Sequence, residues 1–408
     1  MILHIVTGLV IYLEFIPAAF AVLSFELVLW QFFAARRFPI HKRIADPACA
    51  PAVSILKPLK GYDATTAASL ESWFNQNYAG PVQILFGVAA AHDPVCDIVR
   101  ELLLKYPKAD AQLHVCGEEL GMNAKLSTLI QLDRAAKYDS ILVSDADVRV
   151  PEDFLANMVA LLREPEVALV NCFYRIANPV NLAMQWEAVA INADFWSQVL
   201  QSKSLKPLDF ALGAAILKRR KNLEQVGGFA AFANCLADDY QMGNQIAKKG
   251  GRIALCPVVA ECWDAPMNWP DVWKHQLRWA RTIRVCQPAP YFFSILSNGT
   301  IWPLLWLITA LIWAKTLCVP LAAVALLLAR VAIAQNLQRR FNEGQRPAPF
   351  WLVPVKDLLQ AAIWAGAFCG NTIEWRGRKM RLRSDGSLEP IELVGQASCL
   401  SRGTHCPK

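Results

Sequence analysis

Two aspartates one residue apart, Asp145-Ala146-Asp147, end the apolar run Ile141-Leu142-Val143-Ser144. On an extended backbone residues two apart point to the same side, so the carboxylates share a face. Hard divalent cations such as magnesium or manganese take oxygen ligands and combine a few carboxylates with substrate phosphate oxygens. A position at the end of a buried strand makes the pair a candidate metal–diphosphate site rather than an ordinary surface Asp-x-Asp. Asp238-Asp239-Tyr240 precedes a helical run over 241–249. A capping role at the helix start suits Asp238, and leaves Asp239 as a candidate general base that the helix dipole would keep ionised. In a helix over 273–284, His275, Arg278 and Trp279 fall at i, i+3 and i+4 and share a face. His275 and Arg278 could meet a diphosphate while Trp279 packs on a sugar or acceptor. Alternatively Trp269, Trp273 and Trp279 with Lys274, Arg278, Arg281 and Arg284 form an interfacial amphipathic helix, and the two readings are compatible.

These residues need elements to carry them. From about residue 51 to 264, short β-branched runs alternate with helical stretches, the pattern of an α/β domain with a largely parallel sheet. Strands are expected at 52–56, 82–88, 112–115, 140–144, 167–173 and 252–255. Ligands of such sheets bind beyond the carboxyl ends of the strands. There lie Lys57-Pro58-Leu59-Lys60-Gly61-Tyr62-Asp63 and His92-Asp93-Pro94, each a turn signal by itself. Gly121-Met122-Asn123-Ala124-Lys125 opens a helix whose free N–H groups and lysine could hold an anion, or is a plain helix start with a solvated lysine.

Composition places this domain at a membrane. The 408 residues are 55% hydrophobic and 18% charged, too apolar for an ordinary soluble protein. The 41 basic against 34 acidic residues leave +7, a modest surplus that does not call for a nucleic acid partner. Twelve cysteines without a paired CxxC spacing argue against a zinc site and a disulfide-stapled secreted fold, and suit a reducing side of the membrane. Residues 5–33 carry only Glu14 and Glu26 as charges, enough for one span, and Arg36, Arg37, Lys42 and Arg43 follow it. That order favours a retained anchor with the α/β domain in the cytosol. Residues 301–334 are long enough for a hairpin with Lys315 near its turn. Residues 350–370 are interrupted by Lys356 and Asp357 and followed by Arg376, Arg378, Lys379, Arg381 and Arg383. The positive-inside rule wants that cluster and Arg339–Arg340 on one side, which favours a re-entrant or interfacial segment over a crossing. The expected organisation is an anchor at 1–36, the α/β domain at 50–265, an amphipathic interface helix region at 266–292, a transmembrane hairpin at 293–336, a transmembrane or re-entrant segment at 349–371, and a basic C-terminal tail at 372–408.

Taken in order, Lys57-Pro58-Leu59-Lys60-Gly61, His92-Asp93-Pro94, Gly121-x-Asn123-x-Lys125, Asp145-x-Asp147, Leu236-Ala237-Asp238-Asp239-Tyr240 and His275-x-x-Arg278-Trp279 resemble the membrane-bound inverting glycosyltransferases of family 2/21 type, within them the ceramide glucosyltransferase group. The run from His275 to Arg284 looks most like the bacterial hopanoid-biosynthesis-associated members. The resemblance implies an α/β GT-A (nucleotide-diphospho-sugar transferase) domain with N- and C-terminal transmembrane helices, in the cell (inner or plasma) membrane. It also implies Mg2+ or Mn2+, a UDP-sugar donor, and transfer of a hexose or N-acetylhexosamine to a hydroxyl of a ceramide- or hopanoid-type lipid. Residue by residue, Asp93 matches the acidic position near the nucleotide, Asp145 and Asp147 the metal–diphosphate pair, Asp239 the base, and His275, Arg278 and Trp279 the (Q/R)xxRW element. Two departures stand out: His275 replaces Gln or Arg, and Ala89-Ala90-Ala91 stands where polar residues often precede Asp93.

Displacing a diphosphate from an anomeric carbon needs a base for the incoming hydroxyl, here Asp239, and charge stabilisation of the leaving group, here from the metal, Arg278 and His275. Two other readings are weighed. A processive polysaccharide synthase shares the domain but would carry Gln at position 275 and more spans. A non-catalytic transporter or receptor would explain the apolar ends but not the carboxylates.

Overall fold

The computed structural model describes residues 2–314, 316–375 and 378–391. Lys315, Arg376 and the tail beyond 391 lie outside them. Strands β1 (Val53–Leu59), β2 (Val82–Val88), β3 (Asp110–Val115), β4 (Ser140–Ser144), β5 (Val148–Arg149), β6 (Val167–Ile176), β7 (Ala215–Arg219) and β8 (Arg252–Cys262) form one sheet in the order β3-β2-β1-β4-β7-β6-β8-β5. The first four in that order are mutually parallel. β7 runs antiparallel to β4 and β6, β8 parallel to β6, and β5 antiparallel to β8. All strands but β5 and β7 therefore point one way, as the sequence predicts, and those two are the ones it does not reveal. β5 is too short for a period, and β7 has only three apolar residues before Lys218, which is fully buried, and Arg219.

Both faces of the sheet are covered, which is why its strands read as nearly continuous apolar runs. Along β4 the side chains alternate: Ile141 and Val143 enter one core, Leu142 the other. The first core continues into the membrane helices. Trp196 stacks on Phe341 with centroids 4.9 Å apart, and Phe38 meets Phe173 edge-on. Large aromatics buried this way each contribute about 1.5–3 kcal/mol, so the ends of the spans are built into the domain.

Phe15–Arg37 and Cys318–Phe341 are long and apolar enough to cross a bilayer. A third candidate is Pro288–Ser297 with Ile301–Trp313, bent by 43°. The helices Ile2–Arg37, Ile301–Trp313 and Cys318–Phe341 pack against one another. Arg330, buried in the last of these, donates to Asp194 and Asp357 at 2.8–3.1 Å. Lys356 joins both carboxylates, at 2.7 Å to Asp357, and Thr300 donates to Asp357. Two cations and two anions thus neutralise one another where the membrane helices meet the π-helical turn Ala190–Phe195. Lys356 and Asp357, which interrupt the apolar run in the sequence, are the elements of this lock.

The segment expected to span or re-enter is a helix, Leu352–Gly366, of 15 residues. At about 1.5 Å per residue it falls short of a bilayer core of about 30 Å. Both its flanks return to the α/β domain: Gln345 accepts from Arg175 at 2.6 Å before it, and Leu388 N–H donates to Asn234 C=O at 2.8 Å after it. Where a basic tail was expected from 372, the chain folds into a second sheet, β9 (Thr372–Trp375), β10 (Arg378–Leu382) and β11 (Leu388–Pro390), ordered β11-β10-β9. Met380 and Leu382 alternate with the charges of β10 and bury against Leu236.

Candidate active site

The carboxyl ends of β1, β2, β4 and β8 and the amino end of the reversed β7 meet along one edge. There, loops from distant parts of the chain are tied together by hydrogen bonds. Gly61, at φ 65°, turns its N–H to the Asp93 carboxylate at 3.0 Å, and Asp93 also accepts from Val95 N–H. Asp93 thus joins the β1 and β2 loops. Asp63 accepts from Thr65 and Thr66, and Thr65 Oγ1 donates to Trp263 C=O, linking the same loop to the end of β8. The Lys57–Gly61 run is only partly a turn: Lys57 lies on β1, fully buried, over the ring of Trp73. Its ammonium donates to Asp145 C=O behind the Asp145-Asp147 turn. Burial pulls its pKa down to about 7 against the attraction of Asp147 and Asp145.

Asn123 caps the helix Ala124–Ala135, accepting from the N–H groups of Lys125 and Leu126. Those N–H groups are therefore satisfied, and the anion-binding capacity of this segment resides in the Lys125 side chain. Asn123 is fastened to the loop ahead of Asp238 by its N–H to Ala233 C=O and its amide to Cys235 C=O. The result places Lys125 Nζ 2.7 Å from Asp145 and 3.7 Å from Asp238. Attraction from Asp145 and Asp238 outweighs burial and raises the Lys125 pKa, so it stays an ammonium. Asp238 does not cap its helix, which begins at Asp238 with Ala237 in the cap position. It is the buried partner of Lys125 instead.

Asp239 sits on the first turn, its carboxylate accepting from Tyr240 N–H at 2.8 Å. A Cβ at Gly213 would lie 2.8 Å from Asp239 Oδ2. The next residue, Ala214, accepts the Asp145 N–H at 3.4 Å, so one short segment separates Asp239 from the Asp145 turn. Burial, reinforced by the charge of Asp238, pushes the Asp239 pKa up to about 7. This corrects the expectation that the helix dipole holds it fully ionised. Desolvation outweighs the dipole, and a group titrating near 7 is well matched to proton abstraction.

Asp147 is likewise raised, to about 7, by burial and by the charges of Asp145 and Asp264. Asp264, which the sequence did not single out, follows β8 and is paired in space with Asp147 through Trp263 N–H to Asp147 C=O. Among the described residues no three His, Cys, Asp or Glu side chains converge as a complete metal cage. The donor set fits a hard cation all the same: Asp145 keeps 40% of its side chain open, beside a second carboxylate in an acid-rich edge, which suits an ion completed by phosphate oxygens.

The helix Trp269–Cys286 closes the edge. Trp269 and Trp273 face outward, while Trp279 turns in against Tyr174 and Phe195, so the helix has an exposed aromatic face and another packed on the domain. His275 meets Trp279 edge-on at 5.0 Å, and its Nδ1 lies 2.8 Å from Glu187. Arg278 follows one turn on, partly buried. Glu187 is a second residue that sequence reasoning passed over, since with Gln185 it merely interrupts an apolar helix. Arg281 and Arg284 donate to Thr372 C=O and Asn371, and Leu236 N–H to Gly386 C=O, so the C-terminal sheet braces both this helix and the loop before Asp238.

Comparison with known proteins bears on the family and the fold. The chain is 24% identical over 367 residues to ceramide glucosyltransferase 3 of Caenorhabditis elegans, covering 87% of this chain and 78% of that one. It is 36% identical over 121 residues to the ceramide glucosyltransferase of Candida albicans, 27% of this chain and 22% of that one. Among solved structures, a mannosyltransferase, PcManGT, from Pyrobaculum calidifontis in complex with GDP-Man and Mn2+ superposes with a TM-score of 0.52 and 23% identity, over 85% of this chain and 99% of that one. That likeness bears on the fold, which is GT-A. The sequence model of glycosyl transferase family 21 matches residues 16–388, nearly the whole of the membrane and α/β parts together. The chain belongs to glycosyl transferase family 21 and is a glycosyltransferase.

Proposed function

We propose that this enzyme transfers a hexose from a UDP-sugar to a hydroxyl of a ceramide-type membrane lipid in one inverting displacement. The observation that carries the reading is the placement of Asp239, titrating near 7, one short segment from the Asp145 turn with Gly213 leaving it room. Asp239 accepts the proton of the acceptor hydroxyl. Asp145 and Asp147 would hold Mg2+ or Mn2+, which when bound neutralises charge on the departing diphosphate. Lys125, now on Asp145, and Arg278 from the facing helix add positive charge there, and His275 on the same helix adds a polar ring. Asp93, through Gly61 and Val95, fixes the loops that receive the nucleotide. The names of the matched relatives support the lipid acceptor.

The reading extends to topology. Since both flanks of Leu352–Gly366 touch the α/β domain, that helix re-enters and does not cross, and three crossings remain: Phe15–Arg37, the bent pair Pro288–Ser297 with Ile301–Trp313, and Cys318–Phe341. Arg36, Arg37, Arg339, Arg340, Lys379, Arg381 and Arg383 then all lie on the catalytic side, the cytosolic one by the positive-inside rule. The test is mass spectrometry of lipids formed when the purified protein receives single UDP-sugars with ceramide or with hopanoid. A glucosylceramide formed by the wild type and lost in Asp239→Asn is the expected outcome. A hopanoid product alone would replace the acceptor, and no product from any UDP-sugar would overturn the donor.

A further inference from the structure

Glu187, on the helix Leu182–Val189, is only 1% exposed, while the side chain of His275 keeps 24% of its surface open. Its Oε1 lies 2.8 Å from His275 Nδ1 and accepts from Gln276 Nε2 at 2.8 Å. Its Oε2 is buried with no hydrogen-bond partner among the described residues. A buried carboxylate with one oxygen unmatched is costly unless a positive charge stands against it. The titratable groups around the pair are Asp264 after β8, with Asp63 beyond it, and Tyr174 of β6. On its own helix are Lys274, drawn to Glu374 at 3.6 Å, and Arg278. Asp264 and Asp63 place further negative charge on that side of the ring.

The two ring nitrogens divide the work. With Nδ1–H given to Glu187, a neutral imidazole presents a lone pair at Nε2, which would repel a phosphate oxygen; an imidazolium presents N–H there and attracts it. We propose that Glu187 is a positioning residue that holds His275 as an imidazolium, so that Nε2–H donates to the departing diphosphate. Gln276, on the same oxygen, fixes the register of the helix against Leu182–Val189, so that the ring and not the backbone carries the adjustment. The proposal rests on the diphosphate reading of this helix, and its test separates the two.

The first measurement needs no substrate: modification of His275 by diethyl pyrocarbonate, which attacks neutral imidazole, followed by peptide mass spectrometry from pH 5 to 9. Glu187→Gln keeps shape and an acceptor oxygen but removes the charge. Under the proposal the variant's ring reacts at lower pH than that of the wild type. Coincident curves would overturn the dyad. The second is turnover from UDP-glucose to ceramide in nanodiscs. Glu187→Gln is expected to lower kcat about 10–100-fold at pH 8, the effect of one lost charge-assisted hydrogen bond, with less loss at pH 6 and acceptor KM little changed. Adding His275→Gln to Glu187→Gln should recover part of that loss independently of pH, because an amide donates without a charge. A loss equal at all pH values and not relieved by the double variant would mean a merely structural carboxylate. A shifted modification curve with full turnover would leave the dyad standing and remove the diphosphate contact.

Discussion

Gly213→Ala tests the site with a single methyl group. The added Cβ would lie 2.8 Å from Asp239 Oδ2 and 3.4 Å from its Cγ. The first distance is about 0.6 Å short of ordinary van der Waals contact, so one partner must move. Asp239 has little freedom, since its carboxylate is bonded to Tyr240 N–H on the first turn and its helix is braced by the C-terminal sheet. A displacement of about 1 Å in a reacting group costs on the order of 10²-fold in rate, so a displacement of this size should lower kcat about 10–100-fold. The accompanying overpacking costs about 1–3 kcal/mol of stability, visible as a modest fall in Tm but not as unfolding. Steady-state transfer and UDP binding are measured on the same preparation. Reduced kcat with unchanged UDP affinity locates the effect at Asp239. Lost UDP affinity would mean that the backbone gave way at Ala214, the acceptor of Asp145 N–H. Turnover within twofold of wild type and intact affinity would refute the assignment of Asp239 to the reacting centre. Gly250→Ala, at φ 86° with open space around it, serves as the control: about 1 kcal/mol of strain and unaltered kcat.

Asp239→Asn should lower kcat about 10²–10⁴-fold with donor affinity nearly unchanged. Because the base works deprotonated and its pKa stands near 7, wild-type kcat should climb from pH 5.5 and level off above about 7.5; a flat profile contradicts this. Asp147→Ala should abolish the difference between UDP titrations with magnesium and with EDTA, and equal affinities already in the wild type would remove the metal from the scheme. Arg330→Met strands Asp194 and Asp357 with Lys356 as their one strong cationic partner, and should destabilise by about 3–5 kcal/mol in thermal unfolding, partly recovered by adding Asp194→Leu. For topology, a membrane-impermeant maleimide applied to sealed inside-out vesicles should label the exposed Cys369 and spare the exposed Cys318; labelling of both from one side would refute three crossings.

The local order of residues determined much of this protein. Apolar runs with β-branched residues fixed six strands, because a sheet buried on both faces accepts little else there, and the ends of those strands pointed to Asp145 and Asp147. Two apolar ends announced the membrane, and the helix start at Asn123 was legible, although not the cap by which Asn123 satisfies the N–H groups expected to be free. What the tertiary structure alone decided concerns charge inside the protein. Lys57, Lys218, Glu187, Arg330, Lys356 and Asp357 look in sequence like interruptions of apolar elements, and are buried in fact. Each depends on partners or rings far along the chain: Lys57 on Trp73 and Asp145, Arg330 on Asp194, Glu187 on His275. The roles of Asp238 and Asp239 are divided in the same way. The helix start is readable, but Lys125 and the space at Gly213 come from distant parts of the chain, and they make one carboxylate a partner of an ammonium and the other a desolvated group near pH 7. Likewise, β10 shows its alternation in sequence, yet Leu236, with Met122 and Val285 from other segments, supplies the apolar surface that turns a basic stretch into a sheet. Periodicity and propensity act between neighbours and can be read along the chain; desolvation and ion pairing act between segments, and exist only once the fold has brought those segments together.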